Sequence, residues 1–272
     1  MTKPQQYLAA AEDVADQVIR SGRKVIPKVG KICLIASFLE DGIRMLSQWD
    51  EQREYVDETW LCGKFLGTMF VLINMLGQLV GCWMVISRRK PNIAVGLLLS
   101  IVLLQIVTYS ILWNLKILSL KLGLIGALIL VLAEGQVEEQ RLSLFAGLPS
   151  LGENRPKVYM QLIGRILLAL MFLGLIRFQL RTWPMIQDIF AIMLMIFVVL
   201  GYKTKLSALI LVALLFVLNL YHNAWWNIPD YRPLRDFLKY SFFQTLTVIG
   251  GLLMIVSLGP GSVSIDARKK MW

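Results

Sequence analysis

Long apolar stretches alternate with short polar ones along almost the whole chain. Most are close to the length of a helix that crosses a bilayer, about 20 residues. Charged residues and Gly/Pro clusters separate them, such as Arg88-Arg89-Lys90-Pro91. The pattern predicts an all-α bundle with about eight spans, and six is the alternative count, because the first run carries several charges and two others are short. The apolar runs cover residues 30–46, 60–87, 92–113, 117–134, 158–177, 185–201, 204–224 and 239–258.

Composition narrows the class of protein. Of the 272 residues, 57% are hydrophobic and only 17% are charged, and the mean hydropathy is +0.63. These values predict an integral membrane protein rather than a soluble one. The net charge of +10 comes from basic residues near the span ends, which favours membrane topology over nucleic-acid binding. The polar segment 1–29 lacks a signal-peptide pattern, so the first span is expected to direct insertion.

The two halves of the chain resemble each other at three places, in the same order. A duplicated four-helix unit explains this order, and two units with an even number of spans lie parallel in the membrane. The matching segments are 30–39 with 164–173, 109–114 with 221–227, and 122–128 with 246–252. The predicted organisation is an N-terminal segment 1–29, a first repeat 30–134, a connecting loop 135–157, a second repeat 158–258 and a tail 259–272.

Lysine and arginine predict which side each loop faces. Most of them fall on the side of the two termini, whereas the first loop on the other side is acidic, with Asp50, Glu51, Glu54, Asp57 and Glu58. The positive-inside bias therefore predicts that both termini are cytosolic. Lys269 and Lys270, three and four places from the carboxyl end, then match a cytosolic di-lysine signal for retrieval to the endoplasmic reticulum (ER), which is an address rather than an anchor.

The strongest candidate site lies in Phe38-Leu39-Glu40-Asp41-Gly42-Ile43-Arg44. Glu40 and Arg44 are four residues apart, so they share a helix face and can pair. Ionisable groups at membrane depth are costly and usually face the bundle interior or a wet cavity. Two interpretations stay open: a structural ion pair near a helix end, or an acidic cavity that receives a cation such as a peptide amino group.

Aromatic and amide residues form a second candidate site at the ends of two predicted helices. Tyr109, Trp113 and Asn114 end the third helix, and Tyr221 and Trp225 end the seventh. An interfacial aromatic belt explains such residues without a ligand, and a pocket for an extended peptide is the alternative. We expect no metal, cofactor or enzymatic activity, because the chain has one histidine, no Cys-x-x-Cys pair and none of the common catalytic motifs.

Several specific motifs resemble one known family along almost the full chain. They include residues 11–17 (AEDVADQ), 38–44 (FLEDGIR), 156–162 (PKVYMQL), 236–245 (DFLKYSFFQT) and 248–253 (VIGGLL). This pattern is similar to the surfeit locus protein four family of ER export cargo receptors. The resemblance implies a multi-spanning receptor that collects soluble secretory proteins in the ER lumen for COPII vesicles and returns from the Golgi and the intermediate compartment through COPI. It also implies lipoprotein export among its roles.

The resemblance further implies that cargo is selected through a short N-terminal segment, often apolar with a proline. It supplies no binding residues. From the residues themselves we hypothesise that Glu40 or Asp41 binds the free amine and that the aromatic groups around Tyr109, Trp113, Tyr221 and Trp225 hold the apolar side chains. Arg44 and Asn114 complete the hypothetical cargo-binding set. A lipid or solute transporter, or scramblase, built on the same bundle remains the alternative, and an enzyme related to DoxX-type membrane proteins is a weaker one. The oligomeric state stays open, with a homo-oligomer as one option.

Overall fold

The computed structural model describes residues 3–87, 90–145, 155–176, 182–229, 231–259, 261 and 264–265. Within these ranges the chain is helical and contains no strand, as predicted. The α-helices are α1 (Lys3–Gly22), α2 (Ile26–Ser47), α3 (Trp49–Trp60), α4 (Gly63–Ile86), α5 (Pro91–Thr108), α6 (Leu115–Phe145), α7 (Arg155–Leu175), α8 (Thr182–Leu200), α9 (Thr204–His222) and α10 (Pro233–Leu258). Two short 3₁₀ helices, Ile111–Trp113 and Trp225–Asn227, follow α5 and α9.

Each of the eight predicted apolar runs contains a helix, but these helices differ in how well they suit a bilayer. In the described part of the chain, six helices are long and apolar enough to cross a membrane: α4, α5, α6, α7, α9 and α10. The apolar part of α8, Met185–Leu200, is shorter. Helix α2 is continuous but carries the charged residues Glu40, Asp41 and Arg44, as the sequence indicated. Helices α2 and α8 contain the first and sixth apolar runs, which the sequence marked as doubtful spans because of charges or short length. The fourth run was also doubtful, but it lies within the long helix α6.

Two further helices arise where the sequence pattern predicted polar segments. Helix α1 lies within the predicted segment 1–29 and contacts α9, where Lys203 pairs with Glu12 at 2.6 Å and Lys205 with Asp16 at 3.1 Å. Helix α3 carries the acidic residues of the first loop and packs against α4, with Val56 buried between them. Both helices are amphipathic, but they contain too few apolar residues to form an apolar run, so the pattern of membrane spans did not predict them.

The first helix of each predicted repeat packs against the last helix of the other. Helix α2 contacts α10 closely at Gly30 and Gly250, and α7 contacts α6 at Gly164 and Gly126. A Cβ built on Gly250 would lie 2.7 Å from the carbonyl oxygen of Gly30, and one on Gly164 would lie 3.1 Å from that of Gly126. Small residues allow helix backbones to approach this closely. These glycines occupy matched positions in the repeated segments, as a duplication predicts.

The third helices of the two predicted repeats also begin alike. Lys90 precedes α5 and Lys203 precedes α9, and both lysines adopt the left-handed conformation, with φ of 48° and 44°. Non-glycine residues rarely adopt positive φ, so the shared geometry is a specific feature. The two halves of the chain therefore resemble each other in this turn as well as in their helix contacts. The domain boundaries themselves stay a prediction.

The bundle is apolar outside and partly polar inside. Large hydrophobic side chains on α4, such as Phe65, Leu72 and Trp83, are exposed, whereas Asn74 and Gln78 of the same helix are fully buried. A soluble protein shows the opposite arrangement, and lipid tails are the solvent that suits this surface. Buried polar groups lie on several helices, and two of them, Gln78 and Gln105, converge on one carboxylate of α2.

Candidate functional site

A buried polar cluster joins four helices around Asp41. One carboxylate oxygen of Asp41, on α2, accepts hydrogen bonds from Gln78 of α4 at 2.8 Å and from Gln105 of α5 at 2.9 Å. Its other oxygen pairs with Arg44, one turn along α2. The other end of the Gln105 amide accepts a hydrogen bond from the ammonium of Lys121, on α6, at 2.8 Å. The carboxylate is therefore held by three donors, and Gln105 links it to a second cation.

Glu40 joins this cluster through Arg44. Its side chain is 4% exposed, and its Oε1 is 3.9 Å from Nε of Arg44. The Arg44 guanidinium also stacks over the ring of Tyr240, on α10, at 5.3 Å. Glu40, Asp41, Arg44 and Lys121 carry two negative and two positive charges, so the cluster is close to neutral. Burial of paired charges requires this balance.

Aromatic rings cover the cluster at the end of the bundle opposite the termini. Tyr109, next after α5, stacks on Tyr55 of α3 with ring centroids 5.5 Å apart, and its hydroxyl donates a hydrogen bond to Gln52 at 2.6 Å. The indole of Trp60, at the end of α3, donates to the carbonyl oxygen of Thr108 at 2.9 Å. Helix α3 is thereby fixed over the ends of α4 and α5, and it supplies part of a cavity wall.

This cavity has a volume of about 620 Å³. Its walls combine charged groups (Asp41, Arg44, Lys116 and Lys121), aromatic rings (Tyr55, Tyr109, Phe237 and Tyr240) and amides (Gln52, Gln105 and Asn114). A concave site of this size with a few convergent polar groups suits a small molecule or a few residues of a peptide. We call it the first cavity.

A second cavity of about 230 Å³ lies beside the first, and Leu175 and Ser241 line both. Its remaining wall comes from the second predicted repeat, with Asp188 of α8 and Asn219 and His222 of α9 among the polar residues. The sequence pattern did not predict this cavity. Asp188 could have indicated it, because an ionisable residue inside an apolar run often faces a cavity. Lys121 is a second residue of this kind.

The structure brings together some of the predicted site residues and separates others. Asp41, Arg44, Tyr109 and Asn114 line the first cavity. Trp113 and Tyr221 are 90% and 80% exposed and line neither cavity.

Trp225 also lies apart from both cavities and contacts two cations of α10. Arg235 and Lys239 lie 5.3 Å and 5.9 Å from the centroid of its ring. Trp113, Tyr221 and Trp225 fit the alternative of an interfacial aromatic belt better than a shared pocket. Lys269 and Lys270 lie outside the described residues.

Metal-binding groups are sparse in the part of the chain that the structure describes. It contains no group of three or more His, Cys, Asp or Glu side chains able to hold a metal ion. Cys33, Cys62 and Cys82 are free thiols. The lining of the first cavity offers charge pairing, hydrogen bonding and apolar contact.

The fold and the two cavities define a polytopic helical membrane protein with a polar recess at one end. The SURF4 family model matches residues 5–272, so the chain belongs to the SURF4 family. The chain is 66% identical to a surfeit locus protein 4 homolog of Drosophila melanogaster, over the whole of both chains.

More distant relatives extend the comparison to fungi. A surfeit locus protein 4 homolog of Schizosaccharomyces pombe is 35% identical over 91% of this chain and 82% of its own. The ER-derived vesicles protein ERV29 of Saccharomyces cerevisiae is 29% identical over 98% of this chain and 85% of its own. No solved structure matches the chain.

Proposed function

We propose that this protein is an ER cargo receptor that binds N-terminal segments of soluble secretory proteins and loads them into COPII vesicles. The first cavity is the observation that carries the proposal, because it offers charged, amide and aromatic walls at one end of a membrane bundle. The name of the yeast relative, an ER-derived vesicles protein, supports a role in ER vesicle transport. A receptor needs a recess that opens to the lumen and a signal that a cytosolic coat reads.

The cavity suits a short apolar peptide. The rings of Tyr55 and Tyr109 form one wall, and Phe237 and Tyr240 belong to another helix, so apolar side chains have surfaces to pack against. Lys116, Lys121 and Asn114 offer donors for the carbonyl oxygens of an extended backbone. Such a site tolerates varied sequences, which suits a carrier with many cargoes.

The orientation follows from the basic residues. With both termini in the cytosol, the first cavity faces the lumen, because it lies at the opposite end of the bundle. Secretory cargo is in the lumen, and COPI, which reads Lys269 and Lys270, is in the cytosol. One chain then carries a luminal binding site and a cytosolic return signal, and it cycles between the ER, the intermediate compartment and the cis-Golgi.

Peptide binding to the purified full-length protein tests the function. We expect a dye-labelled peptide with an apolar, proline-containing N-terminus to bind saturably to protein in nanodiscs. Tyr109→Ala removes an aromatic wall and is expected to weaken binding about tenfold, the effect of losing about 1.4 kcal/mol. Fluorescence anisotropy measures both affinities.

Trp113→Ala is the matched control, because Trp113 is an aromatic neighbour that lines neither cavity. It is expected to leave peptide affinity unchanged. Equal losses in the two variants would show that the aromatic belt, not the first cavity, binds the peptide. A wild-type protein that shows no saturable binding would contradict the proposed function.

A transporter or scramblase is the second candidate, favoured by the ionisable residues at Asp41 and Lys121 inside the bundle. Protein reconstituted into liposomes separates the two candidates. A receptor binds the peptide without moving solute or lipid, whereas a carrier produces flux without any partner protein. Flux that the purified protein sustains would favour the second candidate.

The tail gives a prediction that does not involve the cavities. Replacing Lys269 and Lys270 with serine is expected to shift the steady-state location from the ER towards the Golgi, because the retrieval address is lost. Immunofluorescence measures the shift, and peptide binding to the same purified variant should stay unchanged. Unaltered ER residence would show that another segment carries the retrieval signal.

A further inference from the structure

The two cavities differ in charge. Among its described lining residues, the first cavity has three cations, Arg44, Lys116 and Lys121, and one carboxylate, Asp41. The second has one carboxylate, Asp188, and no lysine or arginine. A cationic group is therefore repelled by the first cavity and attracted by the second.

The two carboxylates also differ in what already surrounds them. Asp41 is bound by Arg44, Gln78 and Gln105, so an incoming ammonium would have to displace an existing donor. Asp188 is half-buried, and it has no hydrogen bond or ion pair within the described part of the chain. An unpaired carboxylate in a recess gains most from a cationic ligand.

Polar side chains of α9 line the second cavity together with Asp188. The Nδ1 atom of His222 is 3.2 Å from the carbonyl oxygen of Leu218. Because a carbonyl oxygen only accepts, Nδ1 carries a proton in this contact. The ring also lies close enough to Asp188 to interact with its charge. Asn223 donates its amide to Asn219 at 2.7 Å, which leaves its own side-chain oxygen as an acceptor.

We propose that the second cavity binds the free N-terminal ammonium of the peptide, with Asp188 as its counter-ion. The inference rests on the proposed function, since the ligand is the same cargo peptide. It moves the amine from Glu40 and Asp41, where the sequence suggested it, to the other half of the bundle. Leu175 and Ser241 line both cavities, so a peptide with its amine beside Asp188 reaches the first cavity with its next residues.

A pair of peptides and a pair of variants test this site. The probe is the dye-labelled, proline-containing peptide, prepared with a free amine and with an acetylated one. Wild-type protein is expected to bind the free-amine form about tenfold more tightly, since the charge pair with Asp188 is lost on acetylation. Asp188→Asn should bind the free-amine peptide only as tightly as the acetylated peptide. Its affinity for the acetylated peptide should equal that of the wild-type protein. Glu58→Gln, an exposed carboxylate of α3 outside both cavities, should keep the wild-type preference.

A crosslinking measurement on the wild-type protein locates the amine without any substitution. A peptide with a photoreactive first side chain is expected to label α8 or α9, near Gln187 and His222, rather than Tyr55 and Tyr109. Labelling at the two tyrosines would overturn the proposal even if Asp188→Asn does not fold.

The outcomes distinguish a failure of the receptor function from a failure of the amine site. Wild-type protein that binds neither peptide would contradict the proposed function itself. Equal binding of both peptides, or a preference that persists in Asp188→Asn, would overturn only the amine site. A preference that Glu40→Gln abolishes and Asp188→Asn does not would return the amine to the α2 cluster.

Discussion

Replacing Gly126 with leucine is expected to destabilise the bundle strongly, because it forces α6 and α7 apart where their backbones lie close together. A Cβ at this position would lie 2.5 Å from Cβ of Leu167 and 3.0 Å from the carbonyl oxygen of Gly164. These obstacles are backbone or near-backbone atoms, so rotation of a side chain cannot relieve them. Overpacking of this kind costs about 3 kcal/mol when the two helices must move.

The expected loss appears as a lower unfolding temperature of the purified protein in detergent. Gly96→Leu is the matched control, since a Cβ at Gly96 in α5 meets nothing within 4 Å. This control should be neutral or slightly stabilising, because leucine favours a helix over glycine by about 0.5–1 kcal/mol. Equal unfolding temperatures of the two variants would contradict the close α6–α7 contact.

The repeated glycines show how much of the fold the sequence could predict. Gly30 matches Gly164, and Gly126 matches Gly250, in short segments of the two halves. In the structure Gly30 packs against Gly250, and Gly164 packs against Gly126. A repeated sequence can predict repeated helix contacts, because the small residues that allow two helices to approach occur at the same positions in both halves.

The candidate site was less predictable, because it depends on which helices become neighbours. The spacing of Asp41 and Arg44 is that of two residues on one helix face, which can pair. Gln78 and Gln105 have the pattern of polar groups between helices, and nothing in the sequence connects either with Asp41. Lys121 joins them from a fourth helix through Gln105. Contacts between distant segments follow from tertiary packing, which local patterns do not encode.

The aromatic residues show the same limit. Tyr109 and Trp113 are four residues apart and were predicted to share one site, yet Tyr109 stacks on Tyr55 and Trp113 is exposed. Helix α5 ends at Thr108, so the spacing of a continuous helix no longer applies between the two. A short 3₁₀ turn therefore decides which ring faces the cavity.

Neutralising Asp41 is expected to have the largest effect on stability of any charge change. Asp41→Asn keeps the size of the side chain but leaves Arg44 without its closest counter-ion. It also removes the negative charge to which Lys121 is linked through the side chain of Gln105. Removing one partner of a buried ion pair costs about 3–5 kcal/mol, because the remaining charge is uncompensated. Denaturant titration in mixed micelles measures the free energy of unfolding.

The double variant Asp41→Asn/Arg44→Gln identifies the cause of this loss. Removing both charges leaves no unpaired Arg44, so the double variant should be more stable than the sum of the single losses predicts, by about 1–3 kcal/mol. If the losses simply add, Asp41 and Arg44 do not act as a pair. If Asp41→Asn is as stable as the surface control Glu58→Gln, the carboxylate does not hold the helices together. It would then be available to a ligand, and the comparison of free-amine and acetylated peptides would have to include Asp41→Asn. Stability of the unliganded protein therefore distinguishes a structural role for Asp41 from a binding one before any cargo peptide is added.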